Sequence, residues 1–222
     1  VSGFVASEIM KAPIQKKVRV IQHFIQVGQA LKELNNFNAL MEILAGFENA
    51  AVWRLQPFFL EVPKKFYAIM EDLRSTMSTN KNMKSIREAL RQVDMPCIPY
   101  LGMFLTDLTF IEDGNPDIVK NNLVNFTKRR YVAQVIQDIQ QYQQIPYCLT
   151  PVMVIQTFLR TSHIYDDEKL YQMSLQFMPR NAKDKSVREL EILYLENEKE
   201  MKAARKKEKD EEENEEESEG TE

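Results

Sequence analysis

Few side chains in this chain are equipped for covalent or metal chemistry. There are two histidines and two cysteines. His23 sits among Ile21, Phe24 and Ile25, and His163 in the polar run Thr161-Ser162-His163. A Ser–His–Asp or Cys–His arrangement would have to recruit one of them, and no nucleophile motif surrounds either. Cys97 and Cys148 lie far apart, without the C-x-x-C spacing of a zinc ribbon or a redox pair. Their settings, Pro-Cys-Ile-Pro and Pro-Tyr-Cys-Leu, are apolar and lead us to expect buried, inert thiols. No two of the six glycines are nearer than Gly102 and Gly114, so neither G-x-G-x-x-G nor a phosphate loop can be written. Lys128-Arg129-Arg130 is basic but short and lacks interleaved aromatics, which argues against a nucleic-acid site. The pattern therefore points away from metal, cofactor and covalent catalysis and towards binding. The groups that stand out are Thr109, Glu112 and Asp113, a hydroxyl and two carboxylates at the end of a strongly apolar run.

The elements that position them read as helices. Ile14, Val18, Ile21, Phe24–Ile25, Leu31 and Leu34 mark one face of a long helix opened by Pro13. A second follows the Asn35-Asn36 break, with Phe37, Leu40, Met41, Leu44 and Phe47 on one face. A third follows Pro63, with Phe66, Ile69–Met70 and Leu73. A fourth carries Ile86, Leu90 and Val93 and stops at Met95-Pro96. Thr150-Pro151 reads as an N-cap with proline at the first helical position. No run alternates convincingly enough for a strand, so the expected fold is all-α.

Between Pro99 and the stop Gly114-Asn115-Pro116 lies a helix that is apolar on nearly every face: Tyr100, Leu101, Met103, Phe104, Leu105, Leu108, Phe110 and Ile111. Such a helix is either buried or projects apolar surface to a partner, and periodicity does not choose between the two, although burial is the commoner outcome. Asn122 to Gln144 reads as a second long helix, a few residues later, giving an antiparallel hairpin.

The chain has 222 residues, 29 basic against 33 acidic, for a net charge of −4. Nine of those acids lie in residues 210–222, which hold no base, so the rest of the chain carries 24 acids against 29 bases and is mildly positive. From about Lys185 the texture becomes charged and helix-prone, and past Lys209 the acids should repel one another and remain disordered. We therefore expect three parts: a domain over 1–184, a charged helical extension over 185–209 and an acidic tail over 210–222. No signal peptide or long apolar run is present, so a soluble, intracellular protein is expected, and Val1 at the start reads as a piece of a longer one.

Four blocks of residues resemble the catalytic domain of Ras-type guanine nucleotide exchange factors, the domain shared by Son-of-sevenless and Ras-GRF proteins. They are Glu33-Leu34-Asn35-Asn36-Phe37-Asn38; Val52-Trp53-Arg54-Leu55; Pro96-Cys97-Ile98-Pro99-Tyr100-Leu101-Gly102 with Leu105-Thr106-Asp107-Leu108 and Gly114-Asn115-Pro116; and Asn125-Phe126-Thr127-Lys128-Arg129-Arg130 with Gln140-Gln141-Tyr142 and Pro146-Tyr147-Cys148-Leu149. The resemblance runs from about residue 1 to 181.

The resemblance implies an all-helical domain that binds a small GTPase of the Ras subfamily, Ras or Rap, and accelerates GDP release without a cofactor. It implies that the hairpin, which corresponds to residues 98–143, wedges the nucleotide-contacting switch segments open. Asp113 then takes the place of the hairpin carboxylate, usually Glu, and Thr109 the place beside the magnesium site, often a larger aliphatic. Tyr100, Thr106, Asp107, Phe110, Ile111 and Asn115 fall at GTPase-facing hairpin positions. Met41, Glu48, Ala50 and Trp53 fall on the surface meeting the second switch, with Glu48 for a usual Asn and Ala50 for a usual Ser; Lys81 and Met83 fall in a weaker stretch. Met178-Pro179-Arg180 stands for the usual Glu-Pro-Arg. The resemblance also implies a cytoplasmic protein recruited to membranes through its lipidated partner, and an N-terminal portion before residue 1 that carries a partner-contacting Arg. Two rival readings share these residues: a GTPase-binding scaffold of the same fold with little exchange activity, and a helical adaptor that binds through its acidic tail.

Overall fold

Capping residues set where many of the helices begin. Asn36, Asn49, Asn125 and Asp166 each turn a side-chain oxygen to the amide of Ala39, Ala51, Lys128 or Lys169, which satisfies a donor the first helical turn leaves open. The computed structural model describes residues 1–180, 182 and 185–219, with 204–219 as backbone only. The helices are α1 (Ser2–Lys11), α2 (Lys17–Glu33), α3 (Phe37–Phe47), α4 (Ala50–Trp53), α5 (Gln56–Leu60), α6 (Lys64–Thr76), α7 (Asn80–Gln92), α8 (Leu101–Gly114), α9 (Phe126–Gln141), α10 (Met153–Thr161), α11 (Asp167–Phe177) and α12 (Val187–Glu219). The expected all-α fold is what forms, and the amphipathic stretches after Pro13, Asn36, Pro63 and before Met95 are all helices.

The core lies where α1, α2, α3, α6 and α11 meet. Val5, Ile9, Ile21, Ile25, Leu40, Val52 and Phe58 have no exposed surface, and each such side chain contributes about 1.5–3 kcal/mol relative to exposure. Helix α1 crosses α3 so closely that a Cβ on Gly46 would lie 2.6 Å from Val5 Cβ. Lys17, fully buried, closes the corner between α1 and α2. Its ammonium donates to the carbonyls of Ile9, Met10 and Ala12 at 2.9, 3.1 and 3.0 Å and stands 3.4 Å from the Phe177 ring centre.

Several expectations need correction. The second hairpin helix does not begin at Asn122. Residues 118–124 instead form a small antiparallel ribbon, β1 (Ile118–Val119) with β2 (Leu123–Val124), turned by Asn121 and Asn122 at positive φ, and α9 starts at Phe126 behind the Asn125 cap. Helix α10 begins at Met153 rather than at Pro151. Its apolar residues do not line the core: Val154 is 80% exposed and Met153 64%. Cys97 is buried, which raises its thiol to about 11, whereas Cys148 is exposed. Helix α12 opens on a capping box. The Ser186 amide donates to Glu189 Oε2 at 2.8 Å, and the Glu189 amide donates to Ser186 Oγ at 3.4 Å. It then runs to Glu219. Residues 220–222 lie outside the described residues.

Candidate functional site

The hairpin of α8 and α9 is fixed at its base by the α2–α3 junction. Asn35, at positive φ, bonds through its side chain to the Asp94 carbonyl at 3.0 Å. The Ile98 amide donates to the Asn35 carbonyl at 3.0 Å, and the Phe37 amide donates to the Ile98 carbonyl at 2.9 Å. The Tyr147 hydroxyl donates to the Leu34 carbonyl from the far side of α9. Met103 and Phe104 then sink the root of α8 into the core, where Phe104 meets Tyr142 with ring centres 6.3 Å apart. The Tyr100 ring folds over Gly102, with its outer end 2.4 Å from where a Cβ would lie, so a larger residue here would turn that ring away.

Beyond Phe104 only one side of the helix, at Leu108 and Ile111, stays packed against the core. Leu105 is 63% and Phe110 65% exposed, so the apolar surface of α8 faces outward rather than filling the interior. Leu105, Thr109 and Asp113, at successive four-residue steps, form one exposed stripe. The Thr109 hydroxyl is spent on the Leu105 carbonyl at 3.0 Å, which leaves its methyl as the group to present outward. No side-chain partner is recorded for the Asp113 carboxylate among the described residues. The Thr106 hydroxyl is likewise spent, on the Gly102 carbonyl at 2.8 Å, and Asn115 caps the helix end by donating to the Ile111 carbonyl at 2.9 Å.

The tip is locked by charge. Lys128 Nζ lies 2.8 Å from Glu112 Oε1 and 3.0 Å from Asp117 Oδ1, and Arg129 also reaches Asp117. The hydrogen bond from Lys128 holds the Asp117 carboxyl below its ordinary range, and the Glu112 partnership pushes Lys128 above its own. Two members of the basic cluster Lys128-Arg129-Arg130 are thus hairpin fasteners. Nothing in the sequence flagged this clamp as a unit.

The remaining expected site residues fall in two places. Phe110, Ile111, Asn115 and Asp107 line one shallow depression together with Asn82, Tyr131, Gln134 and Val135. Lys81 and Met83 flank Asn82 in a turn where all three residues have φ between 50° and 56°. Met83 is half-buried against the core, as are Met41 and Tyr100. Glu48, Ala50 and Trp53 lie at the α3–α4 corner, all exposed, with Trp53 at 55%. No hydrogen bond or ion pair joins these three to the hairpin among the described residues. Asp107 pairs within the chain with Arg87, which holds it in a bidentate pair at 2.7 and 2.9 Å. Arg87 was not singled out from the sequence.

Among the described residues no group of His, Cys, Asp and Glu is placed to hold a metal ion, and no helix is long and apolar enough to cross a membrane. A model of the RasGEF domain family matches residues 1–130. The mouse (Mus musculus) Ras-specific guanine nucleotide-releasing factor 1 is 39% identical over 182 residues, 81% of this chain and 14% of that protein. The Dictyostelium discoideum Ras guanine nucleotide exchange factor Y is 41% identical over 172 residues, 77% of this chain and 11% of that protein. The Danio rerio Ras-specific guanine nucleotide-releasing factor 2 is 38% identical over 181 residues, 81% and 14% respectively. The chain thus spans less than one sixth of the length of these relatives.

Proposed function

This chain belongs to the RasGEF domain family, and from that premise we propose that it is a guanine nucleotide exchange factor for a Ras-subfamily GTPase, of Ras or Rap type. The observation that carries the reading is the outward-facing surface of α8, apolar at Leu105 and, on a neighbouring face, at Phe110, and carboxylate-bearing at Asp113, carried on a braced hairpin. Apolar surface of this kind displaces water from whatever it enters, and a carboxylate competes with phosphate for the donors that hold a nucleotide. Asp113 and Thr109 act at the nucleotide side. Tyr100, Thr106, Phe110, Ile111 and Asn115 on the hairpin, with Lys81 and Met83, form one partner surface, and Met41, Glu48, Ala50 and Trp53 form another.

The energetics are those of linkage. If the chain weakens the GTPase's hold on nucleotide, nucleotide weakens the GTPase's hold on the chain by the same factor. Exchange is speeded when the chain also engages the nucleotide-bound GTPase and lowers the barrier to release, which calls for no covalent step, resident cofactor or metal on this chain. The work takes place in the cytoplasm, at whatever membrane the lipidated GTPase occupies.

The test is release of a fluorescent GDP analogue from a panel of Ras and Rap proteins with this chain added. Acceleration with one member gives the activity and the substrate together. Binding to a nucleotide-free GTPase without acceleration would replace the proposal with a scaffold role.

A further inference from the structure

The three consecutive left-handed residues Lys81, Asn82 and Met83 are the most strained backbone among the described residues. None is glycine, and such conformations cost about 1–3 kcal/mol each. They persist only where neighbours over-determine them. The Met83 amide donates to the Thr79 carbonyl at 3.3 Å, and Arg87 Nε donates to the Asn82 carbonyl at 3.0 Å. The same guanidinium gives its other two nitrogens to Asp107, Nη2 to Oδ1 at 2.7 Å and Nη1 to Oδ2 at 2.9 Å.

Asp107 occupies a particular place on α8. It is four residues beyond buried Met103, on the side that continues the buried root. At 3.6 residues per turn this is the back of the helix, opposite the Leu105, Thr109 and Asp113 stripe. Full burial ends at Met103 and Phe104, Leu108 and Ile111 pack only partly against the core, and the fork adds a polar hold one turn above Met103. Two parallel bonds fix rotation as well as position, which a single bond would not. Arg87 and Asp107 are each about one-quarter exposed, so the pair is partly shielded from solvent. Asn82 and Asp107 also line the same depression as Phe110 and Ile111.

We propose that Arg87 is the positioning residue of the site: its guanidinium, shared between the Asn82 carbonyl and the Asp107 carboxylate, sets the left-handed turn 81–83 and the rotation of α8 as one unit. Asp107 is then a strut and not a partner contact. The proposal rests on the exchange-factor reading for its functional consequence, but its structural core stands apart from it.

Arg87→Ala, Arg87→Lys, Asp107→Asn and the Arg87→Ala/Asp107→Asn pair would be compared with the unaltered chain. In the free chain, amide hydrogen exchange over 79–84 and 105–114 should accelerate at least ten-fold in Arg87→Ala, while α1–α3 stays unchanged. Nucleotide release should show a maximal rate lowered at least ten-fold, with the half-saturating concentration changed less than three-fold. Arg87→Lys should not restore either, since it keeps the charge and loses the fork, and the pair should match Arg87→Ala alone. Amide exchange within two-fold of the unaltered chain in both segments, or full recovery in Arg87→Lys, would overturn the proposal. So would Asp107→Asn raising the half-saturating concentration where Arg87→Ala does not. If the unaltered chain releases nucleotide from no GTPase, the exchange-factor reading fails and the amide-exchange comparison still decides the role of Arg87.

Discussion

The Lys128 ammonium, with only 2% of its side chain exposed, stands 2.8 Å from Glu112 Oε1 and so fastens the second hairpin helix to the first at their outer ends. The same nitrogen reaches Asp117 at 3.0 Å, at the entrance to the ribbon that joins the helices. With Arg129 also on Asp117, the tip of an otherwise projecting element is braced by four charges.

A pH window follows for this brace. The folded Asp117 carboxyl is depressed from 3.8, so its share of the tether is present above that value and is lost as pH falls through its folded pKa. Folded Lys128 is raised from 10.5, so its share is present below that value and is lost as pH rises through its folded pKa. Amide protection of 112–125, corrected for intrinsic exchange, is expected to be flat from pH 5 to 9 and to collapse in acid below about 3.8. Lys128→Met should remove that protection throughout the window.

Lys17 behaves in the opposite sense to an ordinary surface lysine. Burial lowers its ammonium from 10.5 to about 7. A folded-state pKa below the unfolded one means that the native state holds fewer protons between pH 7 and 10.5. This group's contribution to stability therefore rises across that interval, by at most about 1.4 kcal/mol per pH unit, and is level below and above it. Lys17→Met strands three carbonyls at the end of α1, so we expect a loss of about 3 kcal/mol in urea unfolding at pH 7. The gap from the unaltered chain should widen towards pH 10.

Phe110 and Asp113 project into solvent, so the Phe110→Ala/Asp113→Ala double variant should melt within a degree or two of the unaltered chain. Nucleotide release should nevertheless fall at least ten-fold, as expected when an exposed aromatic anchor is removed from an interface. An unchanged release rate in the folded double variant would remove both residues from the site.

The readable parts of this molecule were those whose cause is local. Pro63 and Asn36 announce helices because a fixed φ and a capping oxygen act within four residues. The Asn121-Asn122 turn was equally local and could have been read, since asparagine tolerates the left-handed region between two short apolar pairs. The turn at Lys81–Met83 could not, because neither lysine nor methionine favours that region and its support comes from Arg87 and, through it, from α8. Cys148 misled for a related reason. Its neighbours in sequence are apolar, but Ile145 and Leu149 are themselves more than half exposed, so nothing covers the thiol. The direction in which α8 faces was likewise undecided by its composition, since beyond Phe104 only one side of the helix, at Leu108 and Ile111, is partly covered, and which side that is depends on distant packing.

Helix α12, at 33 residues and 1.5 Å per residue, is about 50 Å long. It is anchored through its first turns, where Leu190 is buried and Tyr194 stacks on Phe177 at 5.1 Å. Mechanically it is a lever with its fulcrum on α11. A force applied along its outer half is delivered through Tyr194 to Phe177, and from there to the Lys17 ammonium 3.4 Å away. The foot of α12 and the α1–α2 corner thus share one aromatic ring, Phe177, as their common contact.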